Sequence, residues 1–82
     1  MAFSTYILFS ALSSRYYTGH SENLQKRLDE HNNGRTPSIR NGIPWKVIWN
    51  HEFATKAEAM ATEIKIKKRG AKRFLEDLSR GA

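Results

Sequence analysis

A small α+β domain is the fold this sequence predicts, with a three-stranded antiparallel sheet packed by helices in the order β-β-α-β-α-α. Three observations predict it. Two segments, Phe3 to Ser10 and Trp45 to Phe53, are rich in aromatic and β-branched residues whose side chains alternate. A short polar stretch, Ala11 to Ser14, joins the first of them to a strand-like segment at Arg15 to Gly19, as in a hairpin. Helix punctuation then appears twice: Ser21-Glu22 ahead of Leu24 and Leu28, and Thr55-Lys56-Ala57-Glu58 ahead of a run that Gly70 ends.

In the first strand, Phe3, Thr5, Ile7 and Phe9 face one side and Tyr6 and Leu8 the other. Across the hairpin this brings Tyr6 and Tyr17 close on one face. Ser21 is the expected N-cap of the first helix, and Glu22 suits the positive end of its dipole. Gly34 follows its expected end at Asn33. Leu24 and Leu28 form the inward stripe. Arg27 and His31, one turn apart, are expected beside it, at the edge of the core. Asn32 to Pro44 is a polar, basic loop without periodicity, long enough to be functional or mobile. Trp45, Val47, Trp49 and Phe53 are expected on one face of the third strand, with Lys46, Ile48, Asn50 and Glu52 opposite. The second helix is expected to run to Arg69 and to bury Ala57, Met60, Ala61 and Ile64, with Glu63 on the shoulder. A last short helix, from Ala71, is expected to bury Phe74, Leu75 and Leu78.

At 82 residues there is room for one domain, over residues 1–82, and one modest core. A formal charge of +6 makes a polyanion the natural partner, although many small domains are basic. The absence of cysteine excludes a disulfide framework and a thiolate zinc site, and it suits a reducing, cytoplasmic setting. The first residues lack a basic region and a long apolar stretch, so no signal peptide is expected. No apolar run is long enough to span a bilayer. No pair of histidines has a zinc-ligand spacing.

The candidate chemistry lies in an ordered set: Tyr6, then Tyr17-Thr18-Gly19, then Arg27 and His31, then Glu63. Hydrolysing a phosphodiester asks for a cation beside the phosphate, an oxygen ligand for a divalent metal, and an acceptor for the proton of water. The spacing suggests that one face of the domain collects these groups.

In this order and spacing the chain resembles the GIY-YIG nuclease superfamily. It is most similar to the small stand-alone members, which are related to the nuclease module of the bacterial excision-repair incision subunit. The resemblance runs from Thr5 to about Lys68. Thr5-Tyr6-Ile7 stands at the first motif and Tyr17-Thr18-Gly19 at the second. Arg27 follows ten residues after Tyr17, and Glu63 lies in Ala59-Met60-Ala61-Thr62-Glu63 after the third strand. The chain departs from the pattern at Thr5, at Thr18, and at His20, where some members carry lysine.

The resemblance implies a metal-dependent endonuclease acting on DNA, in repair or recombination, with Mg2+ bound by Glu63 and Mn2+ as a substitute. It implies catalytic roles for five residues. Arg27 would contact the scissile phosphate, Tyr6 and Tyr17 would orient or deprotonate water, His31 would relay a proton, and Glu63 would hold the metal. Plainer readings stand beside these: a Glu63–Lys67 surface pair, an Arg27–Glu30 pair, two sheet aromatics, and a helix-end histidine facing water. His20, Arg35, Arg40, Lys67 and Lys68 are the expected nucleic-acid contacts. RNA is the alternative polyanion, and a protein partner is the expected source of specificity. The alternative function is a nucleic-acid-binding module with little or no catalysis.

Overall fold

The computed structural model describes residues 2–81, so residues 1 and 82 of the expected domain lie outside the described residues. The elements are β1 (Phe3–Ser10), β2 (Arg15–Ser21), α1 (Leu24–Asn32), a 3-10 helix (Pro37–Gly42), β3 (Lys46–Phe53), α2 (Lys56–Arg69) and α3 (Ala71–Ser79). β1 lies at the centre of an antiparallel sheet of order β2-β1-β3. The fold is the expected α+β arrangement, with one addition. The basic loop is not structureless, because Pro37 opens a 3-10 helix within it.

The register places Tyr6 opposite Gly19, Leu8 opposite Tyr17 and Thr5 opposite His20. Paired residues share a face, so the sheet has two distinct sides. One side carries Tyr6, Leu8 and Tyr17 and packs with Leu24, Leu28, Ile39, Ile43, Trp45 and Val47. The other side carries Thr5 and takes α2, where the Thr5 hydroxyl donates to the Ala59 carbonyl at 2.7 Å. α3 lies beyond it, with Phe74 edge-on to Trp49 at 5.0 Å between ring centroids.

Several expectations need correction. Trp45, Val47, Trp49 and Phe53 do not share a face. Ile7 pairs with Trp49 while Leu8 pairs with Val47, so Ile48 is bulged out. The bulge sends Trp45 and Val47 to the α1 side and leaves Trp49 and Phe53 with Phe3 and Ile7. The first helix starts later than expected, because β2 continues through His20 and Ser21. Asn23 is the N-cap, its side-chain oxygen accepting from the Lys26 N–H at 3.1 Å.

The inward face of α2 also differs. Ala59 and Ile66 are buried, with Thr62 and Glu63 half-buried between them. Met60 is 41% and Ile64 51% exposed, and Ala57 and Ala61 also face solvent. Both stripes have helical spacing, so periodicity alone does not choose between them. The polar stripe turns inward because the sheet satisfies it: Thr5 meets the Ala59 carbonyl and His20 meets Glu63. On α3, Phe74 and Leu75 are half-buried and Leu78 is exposed, so no residue of that helix is fully buried. Among the described residues, no helix is long and apolar enough to cross a membrane.

Two local devices hold the 3-10 segment against the sheet. The Asn32 side chain clamps the Trp45 backbone, accepting from its N–H at 2.6 Å and donating to its carbonyl at 3.1 Å. Gly42 lies flat under the Trp45 ring, where an added Cβ would overlap the indole. The Trp45 indole N–H in turn donates to the Ile39 carbonyl at 2.8 Å.

Candidate active site

The β-hairpin register brings the two motif tyrosines together. Tyr6 is 1% exposed. Its ring lies 6.4 Å from that of Tyr17, between centroids. It crosses directly over Gly19, where an added Cβ would sit 2.7 Å from the Tyr6 hydroxyl oxygen. The glycine of the second motif therefore makes room for the tyrosine of the first. Burial is the main influence on the Tyr6 phenol and pushes its pKa well above the ordinary value, with nearby Tyr17 adding to the rise. Arg27 beside the hydroxyl pulls the other way, and the charge of Glu63 reaches the same phenol and opposes its ionisation.

His31 is 1% exposed. It is neither at the edge of the core nor facing water, contrary to both sequence readings. The last turn of α1 drives it between the tyrosines and the loop. Its Nε2 lies 3.2 Å from the Tyr6 hydroxyl and its Nδ1 2.8 Å from the Thr36 hydroxyl. Tyr17 packs edge-on against the imidazole at 5.0 Å between centroids. Burial, reinforced by the charge of Arg27, lowers the His31 pKa, with Glu30 opposing. The imidazole is accordingly neutral at pH 7, with one donor and one acceptor nitrogen.

Arg27 is one turn earlier on α1 and half exposed, 3.5 Å from Glu30. With His20, Asn23, Lys26, Glu30 and Lys56 it lines a cleft of about 420 Å³. His20 projects from β2 to the α2 side of the sheet. There its Nδ1 meets Glu63 Oε1 at 2.6 Å, while Lys67 Nζ holds Glu63 Oε2 at 2.7 Å. Burial of Glu63 opposes ionisation and is the largest single influence on it, but the Lys67 and His20 hydrogen bonds together outweigh that. The carboxyl titrates below its ordinary value and is ionised at pH 7.

The set is therefore not gathered on one face. Tyr6, Tyr17, His31 and Arg27 approach from the α1 side, and Glu63 approaches from α2 on the other. The two groups flank the edge strand β2 at Gly19-His20, where Gly19 is buried beneath the Tyr6 ring and the charge of Glu63 reaches the Tyr6 phenol. Of the expected nucleic-acid contacts, His20 lines the cleft and Lys67 is engaged by Glu63. Arg35 is 4.0 Å from Glu30 at the mouth of the loop. Arg40 lies against Gly34, and Lys68 is exposed on α2.

Sequence reasoning missed Lys26, Lys56 and Thr36. Lys26 was detectable as a neighbour of Arg27 on the helix face bearing Asn23 and Glu30. Lys56 and Thr36 carried no local signal.

Among the described residues, no group of three His, Cys, Asp or Glu side chains is placed to hold a metal ion. At the motif position the site offers the ionised Glu63 carboxylate, its two oxygens engaged by His20 and Lys67. That donor set fits Mg2+, which keeps several waters and takes further oxygens from a substrate phosphate. It does not fit a metal that needs an all-protein cage.

The chain is similar to known proteins along most of its length. The chain is 30% identical over 79 residues to a UPF0213 protein of Bacillus licheniformis, covering 92% of this chain and 81% of the relative. It is 34% identical over 68 residues to a UPF0213 protein of Staphylococcus saprophyticus, covering 79% and 80%. The solution NMR structure of a UPF0213 protein from Bacillus halodurans superposes with a TM-score of 0.58 at 25% identity, covering 96% of this chain and 84% of that one. The family model described as the GIY-YIG catalytic domain matches residues 2–76, which include both tyrosine motifs, Arg27, His31 and Glu63, and the chain belongs to that nuclease-domain family.

Proposed function

We propose that the protein is an endonuclease that hydrolyses phosphodiester bonds in DNA, with Mg2+ at Glu63 as its cofactor and a role in repair or recombination. The observation that carries this reading is the cluster of Tyr6, His31 and Arg27 on one side of β2, with the charge of Glu63 reaching the same phenol from the other. A buried phenol hydrogen-bonded to a neutral imidazole stands beside the half-exposed Arg27 guanidinium, which also pairs with Glu30, and an ionised carboxylate lies on the opposite face. A basic cleft with Lys26, Arg27 and Lys56 adjoins them.

Arg27 binds the scissile phosphate and offsets charge that develops on its oxygens. As the guanidinium turns to the phosphate, it uncovers the Tyr6 hydroxyl. Tyr6 does not act as a free phenolate, because burial opposes that form. It takes a proton from water while its own proton passes to His31 Nε2, so the step leaves a neutral phenol, an imidazolium at His31 and a hydroxide for the attack. Tyr17 shields the imidazole and orients the water from the half-buried side. Glu63 would hold Mg2+, which when bound would supply Lewis-acid polarisation of the phosphate. Lys67 and His20 hold the carboxylate ionised and aimed.

The test is plasmid nicking with Mg2+ and with chelator, using Glu63→Ala and Arg27→Ala. Nicking that requires metal and falls at least about 100-fold in both variants is expected. Equal nicking by wild type and Glu63→Ala removes the proposal. One observation favours a second reading: both Glu63 oxygens are already engaged by the chain's own cations. A binding module without catalysis would show salt-sensitive DNA or RNA binding that survives Glu63→Ala, with no nicking.

A further inference from the structure

The buried His31 has two hydrogen-bond partners, and only one assignment of protons satisfies both. The Tyr6 phenol keeps its proton, so its O–H needs an acceptor. Arg27, beside that hydroxyl, has only donors. Among the described residues, His31 Nε2 at 3.2 Å is the acceptor within reach. Nε2 must therefore be bare, and the ring proton must sit on Nδ1. That N–H points at the Thr36 hydroxyl oxygen, 2.8 Å away. The opposite tautomer would aim two donors, Nε2–H and Arg27, at the phenol oxygen and leave the phenol O–H without a partner.

From this geometry we infer that Thr36 is a positioning residue of the site: its hydroxyl accepts from His31 Nδ1–H and thereby keeps Nε2 bare to take the Tyr6 proton. The Thr36 hydroxyl is hydrogen-bonded to His31, and it acts through that ring. Its location explains why the chain returns here. The N–H of Gly34 closes on the His31 carbonyl and that of Arg35 on the Glu30 carbonyl, which turns the chain back over the imidazole. Thr36 then caps the ring just before the 3-10 helix begins. The inference rests on the proposed reaction for its consequence, but the tautomer itself does not depend on that reaction.

The test is nitrogen NMR of the His31 side chain at pH 7.5 in wild type, Thr36→Ser and Thr36→Val, with nicking rates measured in parallel. Besides Thr36, the polar and charged groups around the ring are Tyr6 from β1, Tyr17 from β2, and Arg27 and Glu30 from α1; all three proteins keep these. Wild type and Thr36→Ser are expected to hold the proton on Nδ1. Thr36→Val matches threonine in shape but leaves a buried Nδ1–H without an acceptor, which works against the preference set by Tyr6, so the tautomer ratio should shift toward Nε2–H by about 10-fold and nicking should fall with it. A wild-type ring protonated on Nε2 overturns the inference. So does a Thr36→Val ring that keeps the wild-type tautomer ratio, or one that shifts it while nicking at the wild-type rate. Thermal midpoints identify any variant that fails to fold; if Thr36→Val does, Thr36→Ala, which also lacks the hydroxyl acceptor, carries the same comparison with the same deciding outcomes. If wild type does not nick at all, the nuclease reading fails and the tautomer comparison still decides this one.

Discussion

Gly19→Ala isolates the contact on which the site is built. Gly19 is a β-strand residue directly opposite Tyr6, and its backbone needs no left-handed conformation. The cost of a methyl group is therefore steric. The new Cβ would lie 2.7 Å from the Tyr6 hydroxyl oxygen, 2.9 Å from its ring carbon Cζ and 3.3 Å from Tyr17 Cε2. Tyr6 is 1% exposed, and its hydroxyl is held by His31, so the ring has nowhere to swing. Overpacking of this kind costs about 1–3 kcal/mol. Restricting the unfolded chain returns about 0.4–1 kcal/mol. A net loss of about 1–2 kcal/mol lowers the thermal midpoint of a chain this size by about 5–15 °C. Circular dichroism on melting reads this directly. Tyr6→Phe removes the nearest atom of the clash but leaves Cζ, so the double variant should lose less than the sum of the two single losses. A Gly19→Ala midpoint equal to or above wild type would refute the reasoning, because it would mean the phenol does not lie over the glycine.

Other expectations follow from the same contacts. Gly42→Ala places a methyl into the Trp45 indole and should destabilise by about 1–3 kcal/mol, read as a lower urea midpoint. Asn32→Ala removes both hydrogen bonds that clamp the Trp45 backbone and should cost about 1–3 kcal/mol in the same assay. His31 is held neutral by burial, with its pKa below that of the unfolded chain. The unfolded state therefore binds more protons as pH falls, and stability present above about pH 6.5 is lost through the folded-state value. Urea midpoints between pH 7 and 5 should fall more steeply for wild type than for His31→Gln, and parallel slopes would contradict this. Lys67→Met frees one Glu63 oxygen, so Mn2+ should broaden the NMR signals around Glu63 at lower concentration than in wild type.

The sequence alone determined the order of elements, the hairpin, the Thr55 cap of α2, and the candidate residues and their family. Those properties are local, or are carried by spacing along the chain. Alternation fixed the two sides of β1, and a cap needs only its own first turn. Tertiary structure decided which of two helical stripes on α2 turned inward, because that choice depended on partners supplied by Thr5 and His20 from other strands. It also decided the split of β3, since the bulge at Ile48 arises from pairing with β1 and leaves no mark on composition. The site divides the same way. The candidate set of Tyr6, Tyr17, Arg27, His31 and Glu63 was legible in its order along the chain. That Tyr6, Tyr17 and His31 pack together with His31 buried, while Glu63 stands across the edge strand, was not, because those facts depend on Gly19 lying under a ring thirteen residues away in sequence. Thr36 was invisible for the same reason: a loop hydroxyl acquires meaning only when the fold sets it against a buried nitrogen.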